Sequence, residues 1–307
     1  MEHTIIISSL TKKFGGLTAV DNLNIKVKKN TIFGLVGPDG AGKTTTMRIL
    51  CSLLTPDSGT AEIGGYDILK ESEEIKQHIG YMPQKFSLYG DLTVMENLEF
   101  YAEIYQVAKK EREKKIEYLL KFSNLSKHSY KLADQLSGGM KQKLALSCNL
   151  IHTPKYLLLD EPTIGVDPVA RREFWKILFE LKEGGTTIFV STPYMDEAER
   201  CDEVGLMNNG RIIKTDTPAN IINSFKPILC VVSEDSYLAR DISEKEDCVL
   251  DSYLFGEELH IVADDNDNAM KCLMEKFETY NVKAAIKEVN PSLEDVFVNT
   301  IKSEKRK

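Results

Sequence analysis

The sequence is sparing with several residue types. Among 307 residues there are one tryptophan, six cysteines and five histidines, and 39 basic residues are outnumbered by 47 acidic ones. The cysteines (Cys51, Cys148, Cys201, Cys230, Cys248, Cys272) form no C-x-x-C pair and no disulfide-framework spacing, so they are expected to be reduced, mostly buried thiols of a cytosolic protein. No run approaches the ~18 apolar residues of a spanning helix. Met1-Glu2-His3 does not open a secretory signal, so the chain is expected to be soluble, reaching any membrane through a partner. Basic surplus is missing too: Lys226 to Lys307 holds 11 Lys/Arg against 18 Asp/Glu, and the preceding residues 28 against 29. That balance argues against a nucleic-acid surface. Lys305-Arg306-Lys307 reads as a frayed end. No internal repeat or low-complexity segment is present.

What remains is ordinary globular composition, 42% hydrophobic and 28% charged, which excludes a mainly disordered or collagen-like chain. The length suits a domain of about 200–250 residues plus a small one. Residues 1–28 read as β-structure, with Leu23-Asn24-Ile25-Lys26-Val27 alternating apolar and polar. Thr31–Val36 is a strand-length apolar run, followed by a Gly-rich turn and a helix over Thr44–Leu54. Glu96–Leu120 is charged and helical, a solvated face. Tyr156–Leu159 and Thr187–Val190 are continuous apolar runs, expected as strands buried on both faces of a parallel sheet. Asn208-Asn209-Gly210 between Val204–Met207 and Arg211–Ile213 predicts a hairpin. At Phe225-Lys226-Pro227 the texture changes. A small α+β domain is expected over 225–307, with strands at 228–233, 258–263 and 282–286 and helices at 268–279 and 293–302.

Three segments carry chemistry. Gly37-Pro38-Asp39-Gly40-Ala41-Gly42-Lys43-Thr44 fits the phosphate-loop pattern G-x-x-x-x-G-K-[ST]. Its glycines let successive N–H groups turn inward at a helix N-terminus and form an anion nest. Lys43 then reaches the β- and γ-phosphates, and the Thr44 hydroxyl ligates Mg²⁺. Tyr156–Leu159 ends in Asp160-Glu161-Pro162, two carboxylates where Mg-nucleotide chemistry needs them, Asp160 for the metal and Glu161 to orient or deprotonate the attacking water. Leu136-Ser137-Gly138-Gly139-Met140-Lys141-Gln142 opens a helix running toward Ile151, with Ser137 as N-cap and two glycines leaving N–H groups open to an anion. Asp264, Asp265 and Asp267 lack the Gly and terminal Glu of a Ca²⁺ loop and read as a solvated turn.

Together these residues resemble the nucleotide-binding subunit of an ATP-binding-cassette (ABC) transporter over essentially all of residues 1–224. GPDGAGKTT is similar to its Walker A loop, YLLLDEP to Walker B, LSGGMKQ to the family signature, and Gly165-Val166-Asp167-Pro168 to the D-loop. Gln84, in Tyr81-Met82-Pro83-Gln84, matches the Q-loop glutamine. The resemblance implies a P-loop NTPase cassette of α/β class, a mixed sheet core with a helical subdomain at about 85–152. It implies ATP and Mg²⁺ as cofactors. Phe14, Gly37, Pro38, Asp39, Gly40, Ala41, Gly42, Lys43, Thr44 and Thr45 would hold the nucleotide, Thr44, Gln84 and Asp160 the metal, and Glu161 and Gln84 would be catalytic. A lone Phe14 reads equally as core. Ser137, Gly138, Gly139 and Gln142 would meet the ATP of the opposite subunit in a head-to-tail dimer. Phe86–Thr93 would line a groove for a helix of the permease, or simply be subdomain core. The location implied is the cytoplasmic face of the cell membrane. The tail Asn290–Phe297 resembles that of the ABC-2-type exporter branch.

One position departs from the pattern. After Thr187–Thr192, where the family carries a switch histidine, the chain has Pro193, which offers no side-chain hydrogen-bonding group and no N–H. None of His3, His78, His128, His152 and His260 lies near in sequence. With Asp39, this resembles the first ATPase half of tandem-ATPase exporters, and an asymmetric pair with a second ATPase is expected. A symmetric homodimer turning over slowly on Glu161 and Gln84, and a nucleotide-dependent regulatory protein outside transport, are the competing readings.

Overall fold

The computed structural model describes residues 2–85 and 88–305, the last three of these by backbone alone. Met1, Phe86 and Ser87 of the expected groove, and Arg306-Lys307 of the basic end lie outside the described residues. The chain divides into two compact units, Met1–Pro218 and Ala219–Lys307.

In the first unit, β1 (His3–Phe14) and β2 (Leu17–Lys28) pair antiparallel, and the alternation of β2 buries Leu23, Ile25 and Val27 while Asn24 and Lys26 face out. β3 (Ile32–Val36) is buried at all five positions and feeds the Gly-rich turn into α1 (Lys43–Leu50). That helix is shorter than the expected Thr44–Leu54, because Cys51 caps it and Ser52 takes a left-handed φ of 57°. β4 (Ser58–Ile63) and β5 (Tyr66–Asp67) complete a four-stranded sheet in the order β2-β1-β4-β5.

α2 (Ser72–His78) then leads into β6 (Ile79–Met82). The charged stretch beyond it forms two helices, α3 (Val94–Ile104) and α4 (Lys109–Phe122). A capping box between Thr93 and Glu96 starts α3, and α4 buries Ile116, Leu119 and Leu120 along an otherwise solvated surface. α5 (Gly138–Leu150) begins at the Ser137 cap. β7 (Tyr156–Asp160), α6 (Pro168–Glu183), β8 (Thr187–Thr192), the single turn α7 (Met195–Ala198), β9 (Glu203–Asn208) and β10 (Arg211–Asp216) finish the unit. Asp167 caps α6 by accepting from Val169 and Ala170, with Pro168 in the first turn. The large sheet runs β10-β9-β3-β8-β7-β6, parallel throughout except for the expected β9–β10 hairpin at its edge. Phe33, Leu35, Leu158 and Phe189 of this sheet share a core with Ile5, Ile7, Leu10 and Ile25 of the other and with Met47 of α1. β8 lies between β3 and β7, so the ends of these three strands, where the sequence places its chemistry, fall side by side.

From the last residue of the first unit, α8 (Pro218–Asn223) opens the second. The second unit orders β11 (Ile228–Ser233), α9 (Ser236–Ser243), β12 (Asp251–Phe255), β13 (Glu258–Val262), α10 (Asn266–Thr279), β14 (Ala284–Val289) and α11 (Leu293–Lys305). Its antiparallel sheet runs β12-β13-β11-β14. Leu229, Val231, Leu259 and Ile261 pack on one face with Ala239 and Ile242 of α9 and Leu273 and Phe277 of α10. α9 and β12 were not apparent in the sequence pattern, and the last strand begins at Ala284 rather than at Val282. Asp265 caps α10 by accepting from Asn268, which accounts for the acidic turn there.

Candidate functional site

The loop Gly37–Gly42 joins β3 to α1. Two of its glycines are required sterically. A Cβ at Gly37 would come within 2.1 Å of the Met207 carbonyl oxygen, and at Gly42, where φ is +106°, within 2.3 Å of that of Ala19. Pro38, Asp39 and Gly40 form the exposed crest and Ala41 is buried, while Lys43, Thr44 and Thr45 make the first turn of the helix. The Lys43 side chain is only 3% exposed. Its ammonium donates to the carbonyls of Gly37 (2.7 Å) and Pro38 (3.0 Å) and lies 3.0 Å from Glu161 Oε1, so all three N–H groups have acceptors.

Asp160 ends β7 and is fully buried. Burial pushes its carboxyl above the usual aspartate range, against the hydrogen bonds that Ser191 (2.7 Å) and Thr44 (3.2 Å) donate to Oδ1. Oδ2 is buried with no partner. Such an orphan acceptor, beside a threonine hydroxyl at the first turn of a phosphate loop, fits a hard divalent cation such as Mg²⁺. Glu161 sits in the left-handed region at φ 49°, a strain of about 1–2 kcal/mol for a residue with a side chain. Its N–H donates to Ser191, to Oγ at 3.0 Å and to the carbonyl at 3.2 Å, and Gln84 Nε2 donates to its Oε2 at 2.7 Å. Lys43, Thr44, Gln84, Asp160 and Glu161 thus form one connected group.

Two participants had no role assigned from sequence. Ser191 bridges both carboxylate residues from the end of β8, across the Asp160–Ser191 register pair. Its signal is slight, a hydroxyl in a strand otherwise read only as apolar. Glu197, buried in α7, accepts from Thr163 (2.6 Å), Thr192 (2.7 Å) and Arg171 (3.0 Å). Pro193 directly follows Thr192 at the end of β8 and carries no donor. Its neighbour Tyr194 stacks under Arg171, 4.3 Å from ring centre to guanidinium. Of the histidines in this unit, His78 stacks on Tyr66, and His152 stacks on Tyr105 and bonds the Ile79 carbonyl.

Phe14, at the end of β1, is 48% exposed, with Lys12 over its ring. A core role is therefore excluded and an exposed aromatic face is available. Ser137, Gly138, Gly139 and Gln142 gather at the start of α5. Ser137 accepts from Met140, and Gly139 packs so close to Ala170 that a Cβ would approach its side chain to 2.5 Å. Gly138, Gln142, Gln84 and Leu88 line one open groove of about 370 Å³. Tyr89, the next residue of the expected permease groove, is 44% exposed.

The sequence profile of the ABC transporter family matches residues 20–164. Over 220 residues the chain is 46% identical to the probable multidrug ABC transporter ATP-binding protein YbhF of Escherichia coli K12, covering 72% of this chain but 38% of that one. The chain thus spans well under half the length of this relative. It is 36% identical to the linearmycin resistance ATP-binding protein LnrL of Bacillus subtilis 168, over 69% of each chain. Among solved structures, the dimeric post-hydrolysis state of the ATP-binding cassette MJ0796 bound to ADP and Pi superposes with a TM-score of 0.63 at 27% identity, over 69% of this chain and 98% of that one.

Proposed function

This chain belongs to the ABC transporter family of ATP-binding proteins, and on that premise we propose that it is the ATP-binding subunit of a membrane exporter, acting in an asymmetric pair with a second ATPase subunit on the cytoplasmic face of the cell membrane. Residues 1–224 are the nucleotide-binding part in this reading, and 225–307 an accessory domain. The observation that carries it is the connected group in which the phosphate-loop lysine, both strand-end carboxylates and Gln84 meet.

In this reading the loop Gly37–Gly42, through its N–H groups other than at Pro38, which has none, holds the phosphates with Lys43 and Thr45, and the exposed face of Phe14 stacks on the adenine. Thr44, Gln84 and Asp160 hold Mg²⁺, which when bound neutralises charge on the phosphate oxygens. Glu161 accepts the proton of the attacking water, and Gln84, bonded to Glu161, links that position to the groove where the permease would dock. Ser137, Gly138, Gly139 and Gln142 contact the nucleotide held by the second ATPase. Pro193 leaves the γ-phosphate side without a donor, and the loss of one such transition-state hydrogen bond costs about 10²–10³-fold in rate. Export is supported by the names of YbhF and LnrL, a multidrug and a resistance protein, and by the tail Asn290–Phe297. No helix among the described residues is long and apolar enough to cross a membrane. In this reading the translocation path belongs to permease subunits.

The test is turnover of the purified chain beside its Pro193→His variant, with MgATP binding measured on both. Tight binding, slow turnover, and a rise of roughly tenfold or more in the variant are expected. Full-rate hydrolysis by the unmodified chain alone would instead favour the symmetric homodimer. Absence of MgATP binding at millimolar concentration would overturn the whole reading.

A further inference from the structure

The antiparallel sheet of the second unit uses one face for its apolar core, through Leu229, Val231, Leu259 and Ile261. Alternation along the strands turns the intervening residues to the other face. There the register sets Cys230 of β11 opposite His260 of β13, with Glu258 two residues before the histidine on the same face. The thiol sulfur, an imidazole nitrogen and a carboxylate oxygen of these residues lie within 4.8 Å of one another. Cys230 is 1% and His260 6% exposed, whereas the Glu258 side chain is 41% exposed and leaves a path from solvent.

We propose that Cys230, His260 and Glu258 form a binding site for a divalent ion of borderline softness, Zn²⁺, with the fourth tetrahedral position left to water. Thiolate, imidazole and carboxylate are the zinc donor types. His260 Nε2 and Glu258 Oε2 are 3.8 Å apart, close to the ~3.3 Å edge that zinc–nitrogen and zinc–oxygen bonds of about 2.0–2.1 Å give a tetrahedron.

An independent feature is what stands behind the histidine. Its Nδ1 lies 2.7 Å from Asp295 Oδ1, on α11. Both oxygens of that carboxylate already accept, Oδ1 from the Tyr253 hydroxyl at 3.0 Å and Oδ2 from the Ser292 N–H at 2.6 Å. An ionised Asp295 can only accept, so Nδ1 carries the proton and Nε2 presents its lone pair toward the cysteine and glutamate. Tyr253 and Ser292 donate to the same carboxylate and fix it. The charges balance: thiolate and Glu258 together offset the ion, while Lys287 lies 3.8 Å from the other Glu258 oxygen, Oε1. As the metal–sulfur bond forms, the Cys230 thiol gives its proton to solvent.

The full-length chain, freed of metal, is titrated with Co²⁺ as a spectroscopic probe and then with Zn²⁺. One equivalent of Co²⁺ should give a near-ultraviolet thiolate-to-cobalt band and tetrahedral visible bands, both displaced by Zn²⁺. Cys230→Ser should abolish the thiolate band, and a Cys248→Ser/Cys272→Ser double variant should keep it. Asp295→Asn should keep the band and weaken Zn²⁺ binding about 10–100-fold. If Cys230→Ser does not fold, His260→Gln should show the loss of affinity. A folded chain that gives no thiolate band, or a band that survives Cys230→Ser, overturns the proposal. MgATP binding by the same variants is expected to be unchanged, which separates this outcome from the fate of the nucleotide reading.

Discussion

At the residue scale, the central fact is the competition for Lys43. Its three protons are shared among two loop carbonyls and Glu161, and a triphosphate in the loop must draw one or more of them away. On the proposed reading Glu161 would act twice, as an anion that opposes phosphate charge and as the base for hydrolysis. Glu161→Gln keeps the shape, keeps an acceptor for Gln84 and removes the charge. We expect MgATP to bind this variant several-fold more tightly while turnover falls by about 10²–10⁴-fold, a split that calorimetric titration and a phosphate-release assay resolve. Equal losses in both would mean that Glu161 holds the loop together rather than opposing its ligand. Ser191 belongs to the same scale, since one hydroxyl orients both carboxylate residues.

At the scale of elements, caps decide where chemistry sits. Ser137 and Asp167 begin α5 and α6, which meet where Gly139 touches Ala170, so a side chain at 139 would separate them. The start of α3 depends on a titratable cap. The Thr93 N–H donates to Glu96 at 2.7 Å, and this bond, with the Thr93 side chain, holds the Glu96 carboxyl below its usual range. A depressed folded-state value adds stability that is complete above the unfolded value of about 4.3 and is lost as pH falls through the folded one. The protection factor of the Thr93 amide, its exchange measured against the intrinsic rate at each pH, is expected to fall on acidification below about pH 4, and to show no such step in Glu96→Gln. A step that persists in the variant would assign the effect to another group.

At the scale of the whole molecule, the two compact units each hold an apolar core and are expected to behave as two thermodynamic units. One core joins the sheets of the first unit to Met47, and the other fills the sheet–helix layer of the second. Ligands of each should stabilise their own unit. Calorimetry of the full chain is expected to show two transitions, and MgATP at about 100-fold above its Kd should add about 2.7 kcal/mol to one and leave the other in place. A single transition that moves as a whole would show instead that the units unfold together.

The sequence by itself determined whatever is local. The phosphate loop is legible because its glycines, Lys43 and Thr44 act through backbone geometry within eight consecutive residues, and the strand-end carboxylates because a continuous apolar run announces the strand that delivers them. Family membership rests on such segments, and so did the expectation of a parallel sheet, a hairpin and a helical region. α9 and β12 escaped notice because their apolar positions are few and interrupted, and the burial that makes them an element comes from Leu229, Leu259 and Leu273 elsewhere in the chain. Only the tertiary structure decided that Ser191 stands between Asp160 and Glu161, that Glu197 gathers Thr163, Thr192 and Arg171, and that Asp295 of α11 meets His260 on the sheet face that also carries Cys230. Each grouping joins residues through strand order and register, and periodicity along one segment carries no information about which strand becomes its neighbour.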